Sequence, residues 1–297
     1  MSEMQSQQAE QITGMGGLSD YPDDRDKTNY IEVLIELPPS VDLREWCSEI
    51  EDQGKLNSCT AHAAIALLEY FEKRAFGKQL DASRLFLYKV ARNLMPDPFP
   101  KTGNVSTFSR TAMKALAIFG VPPEYVYPYN EAKLDEEPSA FCYAYARQYR
   151  AMEYYRLDIK GRTKEVILQQ AKANLAAKRP IMFGMILYPG CREQAAITGK
   201  IPIPTDLEVE KFGCLATHFG HNMTVVGYDD RIQIKNTDAT GTETTGAFLV
   251  RNSWGTRWGE SGYGWLPYDY ILRNKSMDWW TMLKADWLDT GSFEPKK

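Results

Sequence analysis

Gln53-Gly54-Lys55-Leu56-Asn57-Ser58-Cys59-Thr60-Ala61-His62 is a glycine-containing loop that runs straight into an apolar segment. From Cys59 to about Phe76 the side chains Ala63, Ile65, Ala66, Leu67, Leu68, Tyr70 and Phe71 are dense enough for a buried helix, and Gly77 supplies a C-terminal stop. Cys59 therefore falls in the first turn, where backbone N–H groups lack intrahelical partners and the helix dipole is positive. Both features favour a thiolate, the attacking species in acyl transfer. The competing assignment for a lone cysteine is a buried structural thiol.

Outward from this helix, the pattern predicts helices over Ala82–Asn93, with Asp81 as N-cap, and over Thr107–Phe119, capped by Ser106 and ended by Gly120. Helix is also expected from Ser139 to Gln148 and from Lys164 to Lys178. Strand signals follow at Ile181–Leu187, Met223–Tyr228, Ala247–Asn252 and Gly262–Leu266. Helices first and strands second imply an α+β fold with two segregated lobes rather than alternating βαβ units. Residues 1–37, polar with glycines and the acids around Asp20–Asp26, read as a leader arm that wraps the domain or stays partly disordered. Leu37-Pro38-Pro39-Ser40 cannot be helix interior and marks entry to the folded domain, expected over 38–285. Its helical lobe is expected at about 45–130 and its β lobe at about 131–285, with a tail at 286–297. Trp279, Trp280 and Trp287 are expected to dock the end of the chain on the body.

The 297 residues are 43% hydrophobic and 25% charged, enough for a sizeable core. A formal net charge of −4 without a basic stripe argues against nucleic-acid binding. No run approaches the roughly 20 apolar residues of a membrane helix, and the N-terminus lacks the basic start and apolar core of a secretory signal, so the expected location is cytoplasmic. Cysteines at 47, 59, 142, 191 and 214 are odd in number and include no C-x-x-C pair, as expected of free thiols. Histidine occurs only at 62, 218 and 221, which narrows any proton-shuttle assignment.

Two later segments complete a pattern. Phe219-Gly220-His221-Asn222-Met223-Thr224-Val225-Val226-Gly227-Tyr228 sets a histidine at the mouth of a hydrophobic strand, and Arg251-Asn252-Ser253-Trp254-Gly255-Thr256-Arg257-Trp258-Gly259 sets an asparagine at a strand end before a Trp/Gly loop. With Gln53 six residues before Cys59, and with Tyr127-Pro128-Tyr129, these segments resemble the papain-like cysteine peptidases, over about residues 38–270. The likeness is greatest to bacterial-type members without a long inhibitory propeptide. It implies a papain-like two-lobe fold, a helical lobe plus an antiparallel β-barrel lobe, with the active-site cleft between them. It implies Cys59 as nucleophile, His221 as base in an ion pair with it, Asn252 as the orienter of that histidine, and Gln53 with the Cys59 N–H as oxyanion hole. Trp254 would shield the His–Asn hydrogen bond. Asn57, Ser58, Gly103, Asn104, Gly220 and Trp254 are expected to line the substrate groove. A peptide or protein is the implied partner; no cofactor and no metal is implied.

Departures from the family pattern leave alternatives open. Asn57 stands where most members have glycine, and a left-handed backbone there would suit asparagine better than other side chains. Leu56 replaces a cysteine that many secreted members pair within this loop. The usual Gly-Gly wall is matched only by Gly103-Asn104. His62, three residues after Cys59, is a rival base, and Cys214, His218 and His221 are a rival zinc set. The stretches 189–217 and 229–246 read as loop insertions. Hydrolysis, transfer to an amine and catalytically silent peptide binding all fit these residues, and the leader could fill the cleft as a short inhibitor.

Overall fold

Two hydrophobic cores share one antiparallel sheet in the computed structural model, which describes residues 15–32, 36–149, 153–212, 220–235 and 242–283. Helix α1, Cys59–Phe76, ends as its sequence demands: Gly77 takes the left-handed conformation at φ 71 and returns its N–H to Lys73 O. Helix α2, Arg84–Asn93, starts later than Asp81 suggests, because the Ser83 hydroxyl accepts from Phe86 N and makes the cap. Asp81 pairs instead with Arg84 at 2.9 Å. Helix α3, Ser109–Ile118, also starts late. Thr107–Phe108 ahead of it is strand β3, drawn into parallel pairing with strand β1, Gly17–Leu18, of the leader. Helix α4, Ala140–Ala146, packs Cys142 and Ala146 with α1, α2 and α3, so the helical core reaches past residue 130.

The sheet runs β4 (Glu153–Arg156), β9 (Ser276–Leu283), β5 (Ile181–Ile186), β6 (Gly220–Lys235), β7 (Glu243–Arg251), β8 (Tyr263–Pro267), with β2 (Ser40–Asp42) added on β6. Helix α5, Lys164–Ala176, buries Ile167, Ala171 and Leu175 in the core of this lobe. The region expected as an inserted loop folds in part as helices α6, Pro189–Thr198, and α7, Asp206–Phe212. The later insertion is largely the β6–β7 hairpin, since β6 continues to Lys235 and β7 begins at Glu243. A short helix α8, Asp269–Leu272, precedes β9.

Strand β9 corrects the expectation for the end of the chain: Trp279 and Trp280 do not dock a tail but belong to an interior strand, and Trp287 lies outside the described residues. Two-residue alternation sends the indoles to opposite faces. Trp279 stacks on Phe183 at 4.8 Å within the sheet-lobe core, while Trp280 packs with Met182 among the helices. The two lobes are joined through β5 and β9, each of which serves both cores. Among the described residues no helix is long and apolar enough to cross a membrane.

Trp279 is 1% exposed. Trp279→Ala is therefore expected to cost about 3–5 kcal/mol, read as a lower urea midpoint with an unchanged slope.

Candidate active site

The N-terminus of α1 faces the first residues of β6. Thr224 Oγ1 on β6 donates to Ala63 O in α1 at 3.1 Å, and Cys59 Sγ lies 3.9 Å from Asn222 Oδ1. One helix position and one strand position are thereby fixed against each other, although 161 residues separate Ala63 from Thr224.

His221 Nε2 meets Asn252 Oδ1 at 2.8 Å. That oxygen can only accept, so the ring hydrogen sits on Nε2 and the lone pair on Nδ1. Asn252 Oδ1 also accepts from Ser253 N at 2.8 Å, which holds the amide in place. Trp254 stacks on the imidazole at 4.4 Å and Trp258 meets Trp254 edge-on, so the histidine–asparagine bond lies under an indole lid. Bonds of this kind strengthen when water is excluded.

Gln53 is wholly buried, and its amide is held at both ends. The Ser253 hydroxyl donates to Oε1 at 2.6 Å, while Nε2 donates to Leu56 O at 2.8 Å and to Met15 O at 3.1 Å. Tyr129 OH donates to Gln53 O at 2.9 Å, giving the Tyr-Pro-Tyr run a place beside the site. Ser253 and Tyr129 are supports that no feature of the sequence singled out for this role; the only signal was their position next to Asn252 and within that run.

Met15 belongs to the leader, which runs through the groove. Gly16 N donates to Gly220 O at 3.0 Å, and Gly16 O accepts from Thr107 N at 2.9 Å. A Cβ on Gly16 would lie 2.1 Å from Asn57 O, and one on Gly17 2.3 Å from Asn222 Oδ1. Gly16 also holds φ 130. Only glycine passes between the loop before Cys59 and the strand carrying His221 so closely. Cys59 and His221 are both fully buried under this segment, and His221 Nδ1 has no hydrogen-bond partner among the described residues.

Burial sets the charges. It pushes the Cys59 thiol up to about 12, against opposing backbone N–H groups. It pushes the His221 imidazole down to about 4, against the bond from Asn252 and helped by the Arg192 charge. With the leader seated, burial favours the neutral thiol and the neutral imidazole over their charged forms. Water excluded by the leader is the reason.

Other expected residues divide. Asn57 and Gly220 border the groove through their carbonyls, against Gly16. Ser58 turns away, with its hydroxyl 2.8 Å from Tyr129 OH and 3.3 Å from His62 Nδ1. His62 is buried and pushed down to about 3, first by burial and then by the Arg84 charge. Gly103 and Asn104 do not face the leader: Asn104 clamps the loop before Cys59, accepting from Asn57 N at 2.6 Å and donating to Lys55 O at 2.9 Å. The wall that pairs with the segment in the groove is Thr107–Phe108. Positive φ among described non-glycine residues falls on Lys178, Ser261, Asn274 and Asp278, so Asn57 needs no left-handed backbone. Cys214 and His218 of the zinc alternative lie outside the described residues. Among those described, no group of three His, Cys, Asp or Glu side chains could hold a metal.

Filling the space at Gly16 is the direct way to unseat the leader. In the full chain, Gly16→Val is expected to accelerate iodoacetamide labelling of Cys59 at least about tenfold, the equivalent of about 1.4 kcal/mol of lost docking. An unchanged labelling rate, read by peptide mass mapping, would contradict that placement.

Comparison with known proteins agrees with this fold. The papain family cysteine protease model matches residues 37–276. Xylellain, a cysteine protease from Xylella fastidiosa, is 29% identical and superposes with a TM-score of 0.76 over 92% of this chain and 97% of its own. A peptidase-like protein of Acanthamoeba polyphaga mimivirus is 29% identical over 91% of this chain and 80% of its length. Procathepsin L of Felis catus is 25% identical over 77% of this chain, which spans 60% of that relative, and the chain spans 54% of a probable cysteine protease of Arabidopsis thaliana. With the family pattern matched across most of its length, on an α+β two-lobe fold, the chain belongs to the papain family of cysteine proteases.

Proposed function

We propose that this peptidase cleaves peptide bonds through Cys59, His221, Asn252 and Gln53, by way of a thioester on Cys59. The observation that carries this assignment is the Met15 carbonyl, a peptide carbonyl in the groove, held by Gln53 Nε2 at 3.1 Å. A substrate carbonyl in that position meets the same donor.

The chemistry follows from the groups. His221 Nδ1, with its free lone pair, takes the Cys59 proton as Sγ attacks the carbonyl carbon. Negative charge builds on the carbonyl oxygen, where the Gln53 amide and the Cys59 N–H stabilise it; one such donor contributes about 2.7–4 kcal/mol. The C–N bond breaks, the amine leaves with the proton from His221, and the acyl group remains on sulfur. Water then attacks, giving its proton to Nδ1, and the acid departs as the thiol re-forms. An amine in place of water would give transfer rather than hydrolysis on the same groups. Asn252 keeps the ring turned so that Nδ1 faces the groove throughout. The ion pair belongs to the open groove, where water returns to the sulfur and the imidazole.

In the leader-displaced Gly16→Val chain, Cys59→Ala and His221→Ala are each expected to lower kcat by at least about a thousandfold. Turnover of a peptide library left intact by Cys59→Ala would overturn the assignment.

Ser253→Ala removes the hydroxyl that fixes Gln53 Oε1. A kcat loss of about tenfold, with KM little changed, is expected from a loosened oxyanion donor. Equal rates in Ser253→Ala and the parent would exclude this support role.

A further inference from the structure

Helix α6 carries a charge to the active site that the catalytic steps do not use. The helix is bonded to its surroundings at both ends. At its start Gly190 N donates to Glu208 Oε1 of α7 at 3.1 Å. Toward its end Ala196 O accepts from Gly259 N at 3.0 Å, and Gly199 O accepts from Trp265 N at 2.6 Å. Gly199 takes φ 70 and makes the C-terminal stop. Gly259 belongs to the loop that holds Trp254 and Trp258, so α6 is bonded to the loop that covers His221. Fixed in this way, Arg192 lays its guanidinium over the Trp254 ring, 4.8 Å from the centroid. The same ring stacks on the His221 imidazole at 4.4 Å, with 27° between the planes. No more than roughly 9 Å can then separate guanidinium from imidazole, close enough for one charge to bear on the other where water is scarce.

This is a costly place for a cation. Arg192 makes an early bond of α6, from its N–H to Tyr188 O at 2.8 Å, and the helix dipole there is positive. Burial works against the guanidinium charge, and Glu193 offsets it only in part. An arginine keeps its charge under such pressure. The other charged groups around His221 are engaged elsewhere. Asp278 of β9 lines the same cavity as His221 but is held by Arg156 at 2.7 Å. His62 of α1 is driven toward its neutral form, first by burial and then by the Arg84 charge, and Arg251 acts on His62 in the same sense. The leader brings Gly17, Leu18 and Ser19 to that cavity, none of them charged. Among the described residues, the charge that bears on the imidazole itself is Arg192.

We infer that Arg192 is a positioning residue for the catalytic pair: its charge, fixed on the indole that covers His221, makes the pair release its proton more readily. The inference rests on the catalytic assignment above for its consequence, since His221 would then give its proton more easily to the leaving amine. Burial holds the imidazole down to about 4, against the bond from Asn252, and the Arg192 charge adds to the burial. A fixed cation lowers the pH at which any neighbouring acid loses a proton, whichever of the two atoms carries it. The direction is therefore the same for a neutral thiol beside imidazole and for a thiolate beside imidazolium. Removing the charge moves the titration of the pair to higher pH, and keeping a charge on a different side chain holds it lower.

The experiment compares Arg192→Gln with Arg192→Lys, both in the full-length Gly16→Val chain. Iodoacetamide labelling of Cys59 is followed from about pH 4 to about pH 10, and the midpoint of its rise with pH is read. Both variants lose the planar stack on Trp254, so charge is what separates them. The midpoint of Arg192→Gln is expected to lie above that of Arg192→Lys by about half a unit or more, which is about threefold less labelling at a pH below both midpoints. Equal midpoints, or the reverse order, overturn the inference, because a purely structural arginine would lose the same packing in both variants. Should Arg192→Gln fail to fold, Arg192→Met removes the charge and is held to the same two outcomes. The readout needs no turnover, so the two readings fail separately. An inactive Gly16→Val chain with separated midpoints sinks the catalytic assignment alone, and an active one with equal midpoints sinks the role of Arg192 alone.

Discussion

The seat of α1 on β6 governs everything else in this molecule. One hydroxyl–carbonyl bond, Thr224 to Ala63, and the approach of Asn222 to Cys59 fix a helix end against a strand end. Each lobe fills its own core independently, yet Met182 and Trp280 cross from the sheet into the helical core and prevent the lobes from sliding. The groove is what remains where this contact stops. The proposed chemistry depends on that rigidity, because a nucleophile and a base misplaced by about 1 Å lose much of their advantage.

Closure and protonation are one phenomenon here. A backbone strand of two glycines excludes water from sulfur and imidazole together, and each answers by keeping its neutral form. Occupancy of the groove and the protonation of Cys59 and His221 are thus linked through a single chain segment. Coupling of this kind needs only differential stability between seated and detached states.

Much of this was legible in the sequence, and what was not has physical causes. Helix α1 and its glycine stop follow from apolar density and one left-handed residue, both local properties. The Cys59, His221 and Asn252 segments could be recognised because each motif carries its residue types at short spacing. The late start of α3 was hidden: Thr107–Phe108 is strand only because Gly17–Leu18 pairs with it, a partner remote in sequence. Strand β9 was misjudged for a similar reason, since a segment with aromatic and acidic residues looks like a tail until β4 and β5 flank it. Asp20 read only as one acid of a leader arm that wraps the domain or stays partly disordered, and only the folded chain shows a buried carboxylate under an indole N–H.

Asn57 and Asn104 show how a departure from a family pattern can be a substitution of one device for another. A glycine at 57 would leave the nucleophile loop without a side chain to anchor it, and Leu56, packed in the helical core, offers no thiol for a cross-link. The two asparagines supply the missing tie: Asn57 N and Nδ2 donate to Asn104 Oδ1 and O, and Asn104 Nδ2 donates to Lys55 O, at 2.6, 3.1 and 2.9 Å. Tyr88 OH continues the tie to Val105 O at 2.7 Å. Each such bond contributes about 0.5–1.5 kcal/mol net, so the set together rivals a modest covalent link while leaving the Asn57 carbonyl facing the groove. The clamp is reversible, and it needs no oxidising surroundings to form. It also explains why Asn104 is drawn away from the groove wall, leaving Thr107 to pair with whatever peptide lies there.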